Sequence, residues 1–382
     1  MAACVGALSI GVTGHSKDTV SPWTVKGAGH LEAARESYQT IVDQGGWRQI
    51  RAGGILDLGA QDTRIADLRA RLIKTGDLAP TPASPFIFDG DVAAAVRSFQ
   101  ERHGLTPSGA VDDETLDALN VSARERLAAI DLNIDRLNDS PIGRHESYVV
   151  VNIAAALLEV VDEGAVVRRH RAVVGKTYRK TPVLSSMITH IDFNPNWHVP
   201  VNVARWDIIP RIRRNPHFLK DEKFSVWRVD GEEWTRVEAQ SIDWTQNNLH
   251  QEYRFTQLRG PQNSLGGVIV RFPNDDAIFL HDTPKQHLFI GDNRAHSSGC
   301  VRVEQIDELA GWLLRGKRQW SSTRISQTRA GGKATQARLN TKIPVHLIYL
   351  TAWAGADANV HFRRDIYDKD KTADKVAAAK SR

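Results

Sequence analysis

The chain has 382 residues, 41% hydrophobic and 25% charged, an ordinary globular composition with material for two or three domains. No run of eighteen or more apolar residues appears, which excludes a polytopic membrane protein. Fifty Lys and Arg stand against 45 Asp and Glu, a net charge of +5 with no polybasic run; this suits a polyanionic neighbourhood and gives no argument for nucleic-acid binding.

Residues 1–14, MAACVGALSIGVTG, are uncharged and fairly apolar, like the tail of a secretory signal without its basic start, so residues 1–25 are read as a signal remnant or a disordered tip. Residues 26–60 are expected to form a helical scaffold. In residues 63–72, Ile65, Leu68 and Leu72 recur at helical spacing and stop before Gly76. A second helix is predicted over residues 89–103, with Val92, Val96 and Phe99 on one face and Gly104 as the stop. A third follows the turn at residues 106–109, capped by Asp112 or Asp113 and burying Leu116 and Leu119. These make a three-helix domain over residues 61–121, interrupted by an exposed loop at 79-APTPASP-85.

Residues 122–145 read as a helical linker, with Leu127, Ile130, Ile134 and Leu137 in register. From Tyr148 the pattern turns β: residues 148–161 as one strand, a turn at residues 162–164, and a return strand, a hairpin by its Asp-Glu-Gly turn. Further strands are expected at residues 187–193, 267–272, 277–281 and 345–353. The polar, Trp-rich stretch at 197–266 is too long for a simple connection and is read as a subdomain or a lid, with lid bounds of about 199–265. Residues 354–382 are a charged tail; the last nineteen, from Arg364, hold ten charged residues and are expected to be disordered.

Two cysteines occur, Cys4 and Cys300, and the position of Cys4 in the presumed signal argues against a disulfide between them. In an oxidising compartment Cys300 is then an unpaired thiol that needs a reason. It stands in 297-SSGCVR-302, nineteen residues after His281, which a short buried strand delivers to a cleft. Cysteine catalysis needs a thiolate, a neighbouring base and donors aimed at an oxyanion. His281 supplies the base and the amides of Ser298, Gly299 and Cys300 the donors, and converging amides are expected to lower the thiol pKa. A lone cysteine is commonly just a small core residue, but this one sits in a polar turn. His287 and His296 compete for the role of base, although both fall in a loop without a strand to hold them. No zinc-ligand spacing or His-Glu-x-x-His occurs, and Gly-x-Ser-x-Gly, Walker and dinucleotide fingerprints are missing, so no metal and no cofactor are expected.

The motifs HDTP…LF…R…SSGCVRV, preceded by NPNWHVP and NSLGG, resemble the L,D-transpeptidase family with its YkuD-type catalytic domain, in particular the large lid-bearing Gram-negative subgroup. FDGDVAAAVRSFQERHGLTPSGAVDDETLDALN is similar to the small peptidoglycan-binding domain. The resemblance implies a multidomain chain: an α-helical N-terminal scaffold, a three-helix peptidoglycan-binding domain and a β-rich α+β L,D-transpeptidase catalytic domain at 146–353 with an inserted lid subdomain. It implies that Cys300 attacks the third residue of a peptidoglycan tetrapeptide stem, usually meso-diaminopimelate, releases D-Ala and passes the acyl group to an amine, forming 3-3 cross-links. In that mapping His281 is the general base and acid, and Gly299 and Ser298 form the turn and oxyanion hole. Arg302, Arg294, Ser297, Trp197 and Asn263 bind substrate. For Arg294 a surface arginine, for Trp197 a packing anchor and for Asn263 a turn residue are the plainer alternatives.

Peptidoglycan stems are the expected donor and acceptor, with other cell-wall enzymes as further partners and neither nucleic acid nor nucleotide. The expected location is the periplasm or cell envelope, with an inner-membrane anchor in a preceding segment as a further expectation, and carbapenem-type β-lactams are expected to acylate Cys300. Departures from the family pattern fall at LRGPQNSLGG and at VNIAAALLEV, which bear on lid contacts and substrate entry. Two other readings remain: an L,D-carboxypeptidase that resolves the same thioester with water, and a non-catalytic wall-binding scaffold.

Overall fold

The computed structural model describes residues 20–355, 357 and 359–371, so residues 1–19, Cys4 among them, and the last eleven residues of the tail lie outside the described residues. Residues 20–25 of the expected disordered tip are packed, with Trp23 buried and Ser21 donating to Glu159 at 2.6 Å. Helix α1 (Val25–Asp43) starts at Thr24, whose hydroxyl accepts from the Gly27 amide. The expected scaffold ends there as a helix. Residues 47–62 run extended along the next module, where Ile50 and Leu56 are buried in its core and Leu56 bridges to Val111.

That module is α2 (Arg64–Lys74), α3 (Gly90–His103) and α4 (Asp113–Asn120); Asp89 caps α3, and of the two caps offered for α4 it is Asp112 that serves. Ile65, Leu68, Leu72, Val92, Val96 and Phe99 are completely buried. Helix α5 (Ala123–Asn138) opens with a full capping box between Ser122 and Glu125. It is no linker. Its apolar face and that of α1 close over the outer surface of the catalytic sheet, so that Leu31, Tyr38, Ile130 and Leu137 share a core with Tyr148 and Val150.

Strand β1 (Tyr148–Asn152) is buried on both faces: Val149 and Val151 point into the central core, Tyr148 and Val150 towards the helices. A continuous apolar run hides a reversal. The single strand expected at 148–161 is two antiparallel strands, β1 and β2 (Leu157–Asp162), separated by a turn with Ala156 at φ 48°. The β2–β3 hairpin forms as expected, with Glu163 and Gly164 both at positive φ before β3 (Ala165–Gly175). Strand β4 (Leu184–Phe193) follows.

The insertion then builds its own sheet from β5 (Trp197–His198), β6 (Phe224–Asp230), β7 (Glu233–Val237) and β8 (Tyr253–Gln257), in the order β5-β8-β6-β7. Short helices α6 (Val201–Val203), α7 (Ile209–Arg214), α8 (Phe218–Asp221) and α9 (Leu249–Glu252) cover it around Ile208, Ile212, Phe218 and Phe255. A separate core makes this stretch a subdomain and not an extended loop.

The chain returns through β9 (Val268–Arg271), β10 (Leu280–His281), β11 (Ala295–Ser297), β12 (Val301–Val303), α10 (Ile306–Leu313), α11 (Ser322–Ala330) and β13 (Thr335–Ile348). The main sheet runs β11-β3-β12-β10-β9-β4-β13-β1-β2 and closes into a ring, because the long β3 pairs with β2 over residues 165–171 and with β12 at Ala172 and Val173. Closure leaves no long free edge, and the short strands β10 and β12 lie side by side.

The charged tail is folded at residues 359–371, against the disorder expected from Arg364. Strand β14 (Ala352–Ala354) pairs with β15 (Val360–Phe362), and Tyr367 is 2% exposed, its hydroxyl donating to the Gly175 carbonyl at 2.6 Å. Phe362 fills the seam against the helical module, where His103 stacks on it with ring centroids 5.5 Å apart and Arg102 donates to the Val360 carbonyl at 2.8 Å. A few large apolar side chains suffice to order an otherwise charged segment when a groove already exists for them. No helix among the described residues is long and apolar enough to cross a membrane.

Candidate active site

Parallel pairing of β10 with β12 sets Leu280 opposite Val301 and His281 opposite Arg302. Side chains alternate along a strand, so Leu280 and Val301, both fully buried, face the core while His281 and Arg302 face the other way. Cys300, two residues before Arg302, shares their side. All three line a cleft of about 300 Å³ between the sheet ring and the inserted subdomain, which contributes Trp197, Asp207 and Arg211.

His281 is 4% exposed, and its Nδ1 lies 2.5 Å from the Asp282 carbonyl oxygen. A carbonyl can only accept, so Nδ1 carries a proton in this contact, and a backbone hydrogen bond with Leu265 also favours the protonated ring. Burial, reinforced by the Arg302 charge, pushes the imidazole pKa down to about 3. Asp282 holds the loop in place: its carboxylate accepts from the Thr283 amide at 2.7 Å, the Gly267 amide at 3.0 Å and Arg329 at 2.6 Å. Gly266, at φ +63°, brings its backbone so near that a Cβ there would stand 2.4 Å from that of Asp282. This accounts for the paired glycines of NSLGG.

The turn that carries Cys300 is braced from several sides. Ser297 Oγ donates to the Cys300 carbonyl at 2.5 Å and accepts from the Gly299 amide at 3.1 Å. Arg179 donates to Ser298 Oγ at 2.8 Å while pairing with Asp207 of the insertion. Gly299 sits at φ +121°, where a side chain is strained whatever the space around it. Two expectations change. The Gly299 amide is committed to Ser297, so the donors left for an oxyanion are the amides of Ser298 and Cys300, which have no hydrogen-bond partner among the described residues. The thiol pKa is not lowered: burial pushes it up to about 11, against the smaller opposing pull of the Phe279 amide, Arg271 and Arg302.

The structure redistributes the expected substrate contacts. Arg302 keeps its place in the cleft, with a buried Nε that has no partner. Trp197 lines the cleft and also packs on Phe224, ring centroids 6.2 Å apart. Ser297 is 3% exposed with its hydroxyl spent inside the turn, which makes it a brace. Arg294 lies away from the cleft lining, donating to the carbonyls of Ala155 at 2.9 Å and Gly291 at 3.0 Å. Asn263 is 1% exposed and ties its own turn together, donating to the Pro195 and Leu258 carbonyls at 3.1 Å and accepting from the Leu265 amide at 2.8 Å.

Sequence order alone could not separate these, because a carboxylate-binding arginine and a carbonyl-binding one look alike in a string. His296 belongs to β11 and lines the cleft, contrary to the loop expected for it, whereas His287 is exposed in a short 3-10 turn. Lys285, Arg211, Arg179 and Thr181 went unmarked; Thr181 stands 118 residues before its partner Gly299. Among the described residues no group of three His, Cys, Asp or Glu side chains is placed to hold a metal ion.

Residues 146–325 match the YkuD family model, described as an L,D-transpeptidase catalytic domain. The chain carries a YkuD L,D-transpeptidase catalytic domain. Residues 61–119 match a second model, described as "Putative peptidoglycan binding domain", so the helical module and the catalytic ring each have a family. A curated Haemophilus influenzae protein named "Putative L,D-transpeptidase" is 35% identical over 240 residues, covering 63% of this chain. The matched region spans 47% of that relative, about half its length. Among solved structures, an L,D-transpeptidase from Stackebrandtia nassauensis is 14% identical with a TM-score of 0.29, covering 76% of this chain and 94% of its own. One from Xylanimonas cellulosilytica is 15% identical with a TM-score of 0.25, covering 78% and 98%.

Proposed function

We propose that this protein is a peptidoglycan L,D-transpeptidase that uses Cys300 as its nucleophile. The observation that carries the reading is the convergence of Cys300, His281 and Arg302 on one side of β10 and β12, with Nδ1 of His281 held by the Asp282 carbonyl. With the imidazole near 3 and the thiol near 11, both groups are neutral across the physiological range. Proton transfer therefore accompanies attack instead of preceding it.

In the acylation step Sγ bonds to the carbonyl carbon of the third stem residue as His281 Nε2 takes the thiol proton. The tetrahedral oxyanion faces the free amides of Ser298 and Cys300. Collapse breaks the C–N bond to D-Ala, His281 returns its proton to the departing amine, and a thioester remains on Cys300. The side-chain amine of an acceptor diaminopimelate then attacks the thioester and gives up a proton through His281 to the leaving sulfur. The products are a 3-3 cross-link and the free thiol.

The inserted subdomain acts as a lid over this cleft, joined to the nucleophile turn by the Arg179–Asp207 pair. The helical module holds the polymeric substrate near the cleft, raising its effective concentration without tighter contacts. A substrate of this kind places the protein in the cell envelope, beside other wall enzymes, and a carbapenem-type β-lactam acylates Cys300 by the same attack. The test is mass spectrometry of products from disaccharide-tetrapeptides incubated with the wild type and with Cys300→Ala. Dimers joined between third residues, formed by the wild type and absent with the variant, are expected. Tripeptides without dimers, or no Cys300-dependent product, would overturn the transpeptidase reading.

A further inference from the structure

The cleft holds more positive charge than the catalytic pair uses. Arg302 rises from its floor with a buried, unpartnered Nε. Lys285, four residues after His281, and Arg211, from α7 of the inserted subdomain, stand exposed at its rim. Among the described residues the charged ends of these three make no ion pair and no hydrogen bond; Arg211 only lies over the Phe218 ring, 5.8 Å from its centroid. The contrast is Arg179, which is matched to Asp207.

Partial burial and then the charges of Arg211 and Arg302 lower the Lys285 pKa, so Lys285 stands within repelling reach of both arginines. Glu222 opposes them with the smallest effect on Lys285, and Asp276 is the other acid of the cleft outside the Arg179–Asp207 pair. Lys176 adds a fourth cation. Unmatched like charges gathered around one cleft disfavour the empty state and favour an anionic occupant. Two of them carry the guanidinium fork that suits a carboxylate.

We propose that Arg211, Lys285 and Arg302 together form a carboxylate-recognition site that selects stem peptides with free carboxylates over stems in which those groups are amidated. This rests on the reading of the cleft as a transpeptidase site. It also gives the inserted subdomain a part in specificity, because Arg211 comes from the insertion while Lys285 and Arg302 come from the catalytic ring. A donor stem carries carboxylates beyond the scissile carbonyl: Arg302 meets the one nearest Cys300, and the rim pair meets another further along the peptide.

The experiment is titration calorimetry with the full-length Cys300→Ala protein, using a synthetic tetrapeptide stem with free carboxylates and the same peptide with them amidated, at low and high salt. Amidation is expected to weaken binding about tenfold, the loss of a charge-assisted contact. The free peptide alone is expected to weaken further as salt rises. Lys285→Met and Arg211→Met, made in the same background, are each expected to bring the free-to-amidated ratio towards one, a ratio taken within one variant and so insensitive to its stability. Equal affinity for the two peptides, or a ratio unchanged in both variants, would overturn the proposal. A preference for the free peptide combined with no Cys300-dependent product from the wild type would support the carboxylate site and sink the transpeptidase reading instead.

Discussion

Thr181 Oγ1 donates to the carbonyl oxygen of Gly299 at 2.7 Å, across 118 residues of chain, and so fixes the peptide that precedes Cys300. The same hydroxyl accepts from the Gly175 amide at 2.8 Å, and the Thr181 amide donates to the Tyr367 hydroxyl at 3.1 Å. The Gly299–Cys300 peptide carries one of the two amides left for the oxyanion, so the orientation of that donor depends on a side chain from the β3–β4 connection and on a tyrosine from the charged tail.

Thr181→Val keeps the volume and removes the hydroxyl, freeing the Gly299 carbonyl to rotate. The expected result is a fall in kcat of about ten- to a hundredfold, the effect of a small misplacement of reacting groups, with KM little changed. Thr181→Ser, which retains the donor, should restore most of the rate; a Val variant with wild-type kcat would remove the turn brace from the mechanism.

The paired pKa displacements predict a broad pH plateau. His281 loses its basic form only as pH falls towards about 3, and Cys300 loses its proton only as pH rises towards about 11. Hence kcat/KM should stay nearly flat between pH 5 and 9 instead of falling through the ordinary histidine range near 6.5. Alkylation of Cys300 by iodoacetamide should be slower at pH 7 than that of a free cysteine and should climb steadily above pH 9. A fast, pH-independent alkylation at pH 6 would show an ion pair already formed.

Gly299→Ala should nearly abolish acylation while leaving the protein folded. The added methyl meets Ile278 Cδ1 at 3.2 Å, which a side chain can yield, but the backbone at φ +121° cannot be kept without strain. That strain is of order 1–3 kcal/mol and is released by turning the very amides that face the cleft. Product formation at the wild-type rate would show that the turn adapts.

Arg294→Met should leave KM for the stem unchanged and lower the melting temperature, since its guanidinium serves the carbonyls of Ala155 and Gly291. The expected loss of stability is about 1–3 kcal/mol, the cost of buried carbonyls deprived of a charged donor. A raised KM with an unchanged melting temperature would return Arg294 to the substrate.

Phe362→Ala tests the seam between the helical module and the catalytic ring. Phe362 is 1% exposed and packs on both Tyr38 and His103. The loss should be about 3–5 kcal/mol, and calorimetry should show one cooperative transition split into two as the module melts apart from the ring. A single unsplit transition would mean that the Arg102 and Arg363 contacts suffice.

Local chemistry made several elements legible before any fold was known. A cap at Asp112 or Asp113, the helical spacing of α2 and α3, and the Glu163–Gly164 turn are decided within one or two turns of chain, and the structure has each in place, with Asp112 as the cap. Cys300 and His281 were visible because SSGC and the end of a short apolar run are local signals. The reversal at residues 153–156 was not, because β1 and β2 are buried on both faces and their apolar run has no Gly or Pro to mark the break.

What the sequence by itself made legible is therefore the candidate groups of the site, the three-helix module and a long stretch of chain set between two strands of the main sheet. Only the tertiary structure decided which neighbours those groups have. Closure of the sheet ring sets His281 beside Arg302, burial drives the imidazole and the thiol apart in pKa, and the tail supports the nucleophile turn through Tyr367 and Thr181. Caps and turns depend on atoms a few residues apart, whereas desolvation and the partner of an arginine depend on which distant segments fold against it. That is why Arg302 faces the cleft and Arg294 binds backbone, although both are arginines within ten residues of Cys300.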